Sequence, residues 1–245
     1  MIILEKGFFN RTFKLEVLHM QRKSRLTLVM MAVLLMVGMV GIQPAKPVQA
    51  ALPTDLFLSE YMEGSGNNKA IEIYNGTGSE VNLSDYKLEL YSNGVTAPTT
   101  SLVLSGTLAA GDVYVVAHNQ ADAVIIALAD ITSTSLVNFN GDDAFALRKV
   151  STNALLDVIG QIGHRPGSGY WGSGTVQTMD RTLVRKATVC DGDPIGSDVF
   201  APAIEWDGYP TNTFAYLGSH TSNCAPNPPV INEFSASTTG DDVEY

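Results

Sequence analysis

Basic side chains are scarce in this chain, with 15 Lys+Arg against 25 Asp+Glu. Residues 1–50 hold seven of those basic residues and two of the acidic ones. The remainder therefore carries 8 against 23, a net of −15. A surface of that sign repels polyanions at long range and disfavours non-specific nucleic-acid binding. Cysteine is scarcer still: only Cys190 and Cys224 occur. Neither belongs to a Cys-x-x-Cys or has a His at ligand spacing, so a single disulfide is favoured over metal ligation or a reactive thiol. Such a bridge closes a loop of about 35 residues, worth about 3–4 kcal/mol in the chain-entropy view, and it persists in an oxidising compartment. Beyond residue 50 the histidines are His118, His164 and His220. None is paired at i+4 or set in a nucleophile motif, which favours surface or loop-packing roles over proton transfer. The absence of G-x-S-x-G leaves serine hydrolysis without support.

One long apolar run is present, the 17 residues from Leu26 to Ile42. Arg22, Lys23 and Arg25 precede it and Val48-Gln49-Ala50 follows, the layout of a secretory signal cut after Ala50. The run is long for a signal and barely enough to span a bilayer, so an uncleaved membrane anchor is the competing reading. A start at Met20 gives the more ordinary leader MQRKSR and leaves residues 1–19 untranslated.

From Leu56 to Cys224 the pattern is almost wholly β. LFLSEY, KAIEIYN and YKLELYS alternate apolar and polar residues between clusters of glycine, asparagine and serine, which predicts strands with one buried face. Phe57, Ser59 and Tyr61 are assigned to one face of the first strand, Leu56, Leu58 and Glu60 to the other. Further strands are expected at residues 101–106, 112–118, 136–140, 143–149, 154–163 and 181–187, with glycine-bearing turns at residues 108–112 and 140–142. The spacing suits an antiparallel sandwich large enough to bury its own core. One short crossover helix is expected over residues 120–129, capped by Asn119 and covering an open end of the sandwich.

A proline-rich linker occupies residues 225–229 and acts as a semi-rigid spacer. Then Pro229-VINEFSASTTGDDVEY repeats the logic of the opening strands, with Glu233-Phe234 standing where Glu60-Tyr61 stood. The expected organisation is a signal over 1–50, a sandwich over 51–224, the linker, and over 230–245 the truncated start of a second similar domain in a longer protein.

Three segments carry a family resemblance: Ala70-Ile-Glu-Ile-Tyr-Asn75, Val81-Asn-Leu-Ser-Asp-Tyr-Lys-Leu88 and Leu108-Ala-Ala-Gly-Asp-Val-Tyr-Val-Val116. Together they resemble the lamin tail domain across most of residues 56–160. Residues 139–147, 157–161, 171–173, 182–186, 205–207 and 217–220 are similar to the version found in secreted bacterial proteins. Some of those are extracellular nucleases with an endonuclease/exonuclease/phosphatase domain further along. The resemblance implies an all-β, immunoglobulin-like sandwich with an accessory, non-catalytic role; no nuclease core is visible in the 245 residues.

Asp191-Gly-Asp193, with Asp198 and Glu205 downstream, is the best metal candidate, since hard cations such as Ca²⁺ take several carboxylates. Read as an EF-hand loop it fails, because Ile195 and Pro202 fall at the fifth and twelfth positions, and an acidic turn capping its own backbone is the plainer reading. Asp142-Asp143 is a second loop-tip candidate for calcium and equally a hairpin turn. Apart from Ca²⁺, no cofactor is expected. Arg181, Arg185 and Lys186, with Arg148-Lys149, make a basic stripe able to touch phosphates if their strands adjoin, Trp171 or Tyr170 stacking on bases. Cross-strand pairing with carboxylates is favoured over it, and Trp171 and Trp206 read as core or loop anchors. Three functions follow: a secreted interaction or targeting module with an unknown extracellular ligand, the accessory part of a secreted metal-dependent nuclease, or a structural repeat of an adhesin-like surface protein.

Overall fold

The computed structural model describes residues 52–224; the signal, the linker and the repeated motif lie outside the described residues. In chain order the strands are β1 (Phe57–Glu63), β2 (Lys69–Tyr74), β3 (Val81–Asn82), β4 (Tyr86–Tyr91), β5 (Thr100–Val103), β6 (Thr107–Leu108) and β7 (Val113–Ala117). The helix α1 (Ala123–Leu128) follows, then β8 (Ile131–Thr132), β9 (Ala144–Lys149), β10 (Leu155–Ile159), β11 (Gly172–Ser173), β12 (Val176–Gln177), β13 (Arg181–Arg185) and β14 (Trp206–Tyr209). Six strands form one sheet in the order β14-β13-β1-β2-β7-β8, and four form another in the order β10-β9-β4-β5. Every pairing is antiparallel except β7–β8, and two short ribbons, β3–β6 and β11–β12, complete an immunoglobulin-like all-β sandwich.

Leu58, Tyr61, Ile71 and Ile73 from the larger sheet meet Leu88, Leu90, Phe145 and Leu147 from the smaller one in the main core. Phe139 is sandwiched there, 5.0 Å from Tyr61 and 4.8 Å from Phe145. Residues 136–140, expected as a strand, form turn and loop instead. Their apolar members Leu136, Val137 and Phe139 still plug the core, so burial without a ladder partner produced the strand-like signal.

β1 and β2 have two buried faces where one was expected. Phe57, Met62, Ala70, Tyr74, Val113, Val115 and Ala117 point away from the smaller sheet and make a second apolar layer with Ile125 of α1 and Leu217 and Phe214 of the segment after β14. The face assignment within β1 also changes. The register slips between Leu58, opposite Ile73, and Glu60, opposite Glu72, leaving Ser59 as the extra residue of a bulge. The slip puts Tyr61 on the core face with Leu58, and Glu60 beyond it on the outer side.

The helix is shorter than expected and capped elsewhere. Asp122 accepts at 2.9 Å from the Val124 amide, while His118–Ala121 closes a turn of its own before the helix starts. It covers the outer face of the six-stranded sheet rather than an open end, because Ile125 is its one fully buried side chain and Phe57 and Val115 lie there.

Candidate functional site

The Cys190–Cys224 disulfide joins the loop after β13 to the last described residue, with Cα atoms 5.7 Å apart. Beneath it lies a buried ion pair. Arg185 of β13 and Asp157 of β10 are both fully sealed, and the guanidinium Nη2 reaches the two carboxylate oxygens at 2.9 and 3.0 Å. Asp157 also accepts from the amides of Leu58 (2.7 Å), Val158 (2.9 Å) and Asp193 (2.8 Å). One carboxylate thus ties both sheets to the loop at residues 191–193, as a buried charge must if its desolvation is to be offset. Gly192 permits that approach, because a Cβ there would lie 2.5 Å from the Asp157 Cβ and from the Leu156 carbonyl oxygen. The Arg185 guanidinium lies 4.6 Å from the Trp206 ring, and its Nη1 is 3.4 Å from Glu205.

Above this pair opens a cleft of about 320 Å³, running from Gly192, Asp193 and Pro194 past Asp198 and Val199 to Ile204, Glu205 and Trp206. Three carboxylates, those of Asp193, Asp198 and Glu205, line it beside exposed aliphatic residues: Val199 is 83 % exposed and Ile204 73 %. Partial burial raises the Glu205 carboxyl above its ordinary value against the pull of Arg185, and Asp157, Asp193 and Asp198 add to the rise.

A carboxylate pair sits under the segment that follows β14. Glu60 and Glu72 are register neighbours on β1 and β2. Glu72 accepts from the Ser59 hydroxyl and the Gly218 amide, both at 2.7 Å, whereas neither oxygen of Glu60, 1 % exposed, has a partner among the described residues. Burial first, and the Glu72 charge second, push Glu60 up to about 9; burial pushes Glu72 up to about 7. Glu60 is therefore a neutral acid at neutral pH, a state the plain alternation of its strand gave no reason to expect. His220 closes the same layer, with its ring 4.8 Å from Tyr74 and 5.7 Å from Phe57, and burial lowers it to about 4.

The other candidates are placed as follows. Asp191 accepts from the Thr54 amide (3.3 Å) and hydroxyl (3.2 Å), and Asp193 caps the amide of Ile195 at 2.9 Å. Asp193, Asp198 and Glu205 line one cleft, yet among the described residues no three His, Cys, Asp or Glu side chains converge as a metal site. Asp143 accepts from the Asn93 and Asn140 amides, and Asp142 pairs with Arg165 at 2.6 Å. His118 accepts from the Gln120 amide at 3.1 Å, and His164 lies exposed in the turn after β10.

The basic stripe does not form. Arg148 and Lys149 belong to the four-stranded sheet and Arg181, Arg185 and Lys186 follow the six-stranded one, so their strands are not neighbours. Arg185 has no exposed surface to offer a phosphate and is committed to Asp157. Lys186 donates to the carbonyls of Ala203 (2.6 Å) and Ile204 (2.9 Å), and Arg181 to that of Asp180 at 2.7 Å. Arg148 pairs with Glu89 at 2.9 Å and Lys149 with Asp55 at 3.2 Å. Trp171 is buried against Tyr91, Ala144 and Ala146, and Tyr170 beside it is half-buried.

The fold is thus an immunoglobulin-like sandwich with an ion-paired floor under an acidic cleft. Within it, residues 49–163 match the family model described as Lamin Tail Domain. No curated protein and no solved structure matches the chain. The matched stretch contains Glu60, Glu72 and Asp157, whereas Arg185, the disulfide and all of the cleft lie beyond it. Among the described residues no helix is long and apolar enough to cross a membrane.

Proposed function

We propose that the chain is a non-catalytic interaction module of an exported protein, standing at the front of a longer polypeptide. The observation that carries this reading is the lamin-tail match over residues 49–163 on an immunoglobulin-like sandwich. The basic flank, apolar run and small-residue site at 22–50 support export, and the disulfide is compatible with an oxidising compartment. A place beside a secreted metal-dependent nuclease is the finer alternative, supported by the motifs between residues 139 and 220 that resemble the secreted bacterial type.

Two measurements test the reading. The full chain, incubated with duplex DNA and Mg²⁺, Mn²⁺ or Ca²⁺, is expected to release no nucleotides; turnover that survives further purification overturns the non-catalytic claim. Expressed with its leader in a secreting host, the chain is expected in the medium with Ala51 as its first residue. Retention in the membrane fraction with residues 26–42 intact overturns export by a cleaved signal.

A further inference from the structure

We infer that the cleft between Gly192 and Trp206 is a docking site for a peptide segment of a partner protein in which Lys or Arg stands beside an aliphatic side chain. The inference rests on the interaction-module reading and gives it a surface. Exposed aliphatic residues are ordinary when scattered, but Val199 and Ile204 both line this cleft. Asp193, Asp198 and Glu205 line the same opening. The two cations nearby are already committed: Arg185 to Asp157 and Glu205, and Lys186 to the carbonyls of Ala203 and Ile204. Asp193 and Asp198, which pair with no cation among the described residues, therefore set negative charge next to apolar surface, the complement of a basic–aliphatic segment.

Charge and geometry decide against other occupants. A polyanion meets carboxylates, and a second copy placed across a twofold axis sets the same acidic walls against each other. A divalent ion wants its oxygens converging on one point, and these do not. A lysine ammonium or arginine guanidinium makes no such demand. The walls are also fixed in advance, which lowers the ordering cost of binding. Gly192 is pressed against Asp157, the Ile162 backbone amide donates to the Gly196 carbonyl at 2.7 Å, and the Gln161 side-chain Nε2 donates to the Ser197 carbonyl at 2.8 Å.

The test is calorimetric titration of the full chain with the blocked heptapeptide Gly-Lys-Leu-Gly-Lys-Leu-Gly. Comparators carry Glu in place of Lys, or Ser in place of Leu. The Lys-Leu peptide is expected to bind at least about tenfold more tightly than either comparator and to perturb tryptophan fluorescence. Asp198→Asn and Val199→Ser, both exposed and outside the ion-paired floor, should each weaken it about three- to tenfold while leaving the far-UV spectrum and disulfide unchanged. Equal affinity for all three peptides, affinity unchanged in both variants, or no binding at about 1 mM peptide overturns the assignment. Saturable Ca²⁺ binding that Asp198→Asn abolishes also overturns it, making the cleft a cation site. DNA hydrolysis by the chain would instead defeat the module reading and leave these peptide results standing.

Discussion

Glu60→Gln isolates the cost of sealing an acid without a partner. In the folded chain the carboxyl is held up to about 9, from an ordinary value of 4.5. A raised carboxyl keeps its proton in the folded state while the unfolded chain releases it. Stability is therefore complete below about pH 4.5, falls as pH rises toward 9, and levels off above. Within that window one such group removes about 1.4 kcal/mol per pH unit, or about 3 kcal/mol between pH 5 and 7. That is a large share of the 5–15 kcal/mol typical of a whole domain. Glutamine keeps the shape and cannot ionise. The variant should match the parent within about 1 kcal/mol at pH 5, both burying an unpartnered polar group, and exceed it by about 3 kcal/mol at pH 7. Urea unfolding at both pH values, with the disulfide intact, measures the difference. Glu72, raised to about 7, adds its own decline between pH 4.5 and 7, but this is common to both proteins and cancels. A gap between variant and parent that is the same at pH 5 and pH 7 refutes the reasoning.

Breaking the floor ion pair with Arg185→Met strands Asp157, and a loss of about 3–5 kcal/mol is expected by urea unfolding. Replacing both cysteines by serine removes the staple; the midpoint should fall by an amount equivalent to about 3–4 kcal/mol, and non-reducing mass spectrometry of the parent should show a Cys190–Cys224 peptide. Ile125→Ala empties the contact between α1 and the six-stranded sheet and should cost about 2–5 kcal/mol, with faster amide exchange in residues 123–128 if the helix loosens.

The larger features were legible because they depend on local signals. Alternation located β1, β2, β4, β7 and β9, and turn glycines separated them. Two cysteines without metal-ligand spacing gave the disulfide. What escaped depends on distant contacts. The second buried face of β1 and β2 is covered by Phe214 and Leu217, in a stretch with no periodicity to announce packing. The bulge at Ser59 moved Tyr61 and Glu60 across the sheet, and no residue preference marks it. Asn119 was a reasonable cap, but Asp122 lies closer to the first turn that packs. Arg185 looked like surface charge because its partner stands 28 residues away on a strand of the other sheet. The acidic cluster at 191–205 was visible as composition. Its apolar rim was not, since exposure of Val199 and Ile204 is a property of the folded loop.

The pairing of β1 on both sides, with β2 along one edge and β13 along the other, bears on how the protein can be cut. Ending it at residue 163, where the recognisable family stretch stops, removes β13, β14, the layer over Glu60 and Glu72, and the counter-ion of Asp157. Such a fragment would turn β1, an interior strand of the larger sheet, into a naked edge, an invitation to pair with its own copies. The stretch that matches the family model is thus smaller than the sandwich the strands build. A fragment that keeps both neighbours of β1 and the disulfide must run at least to Cys224.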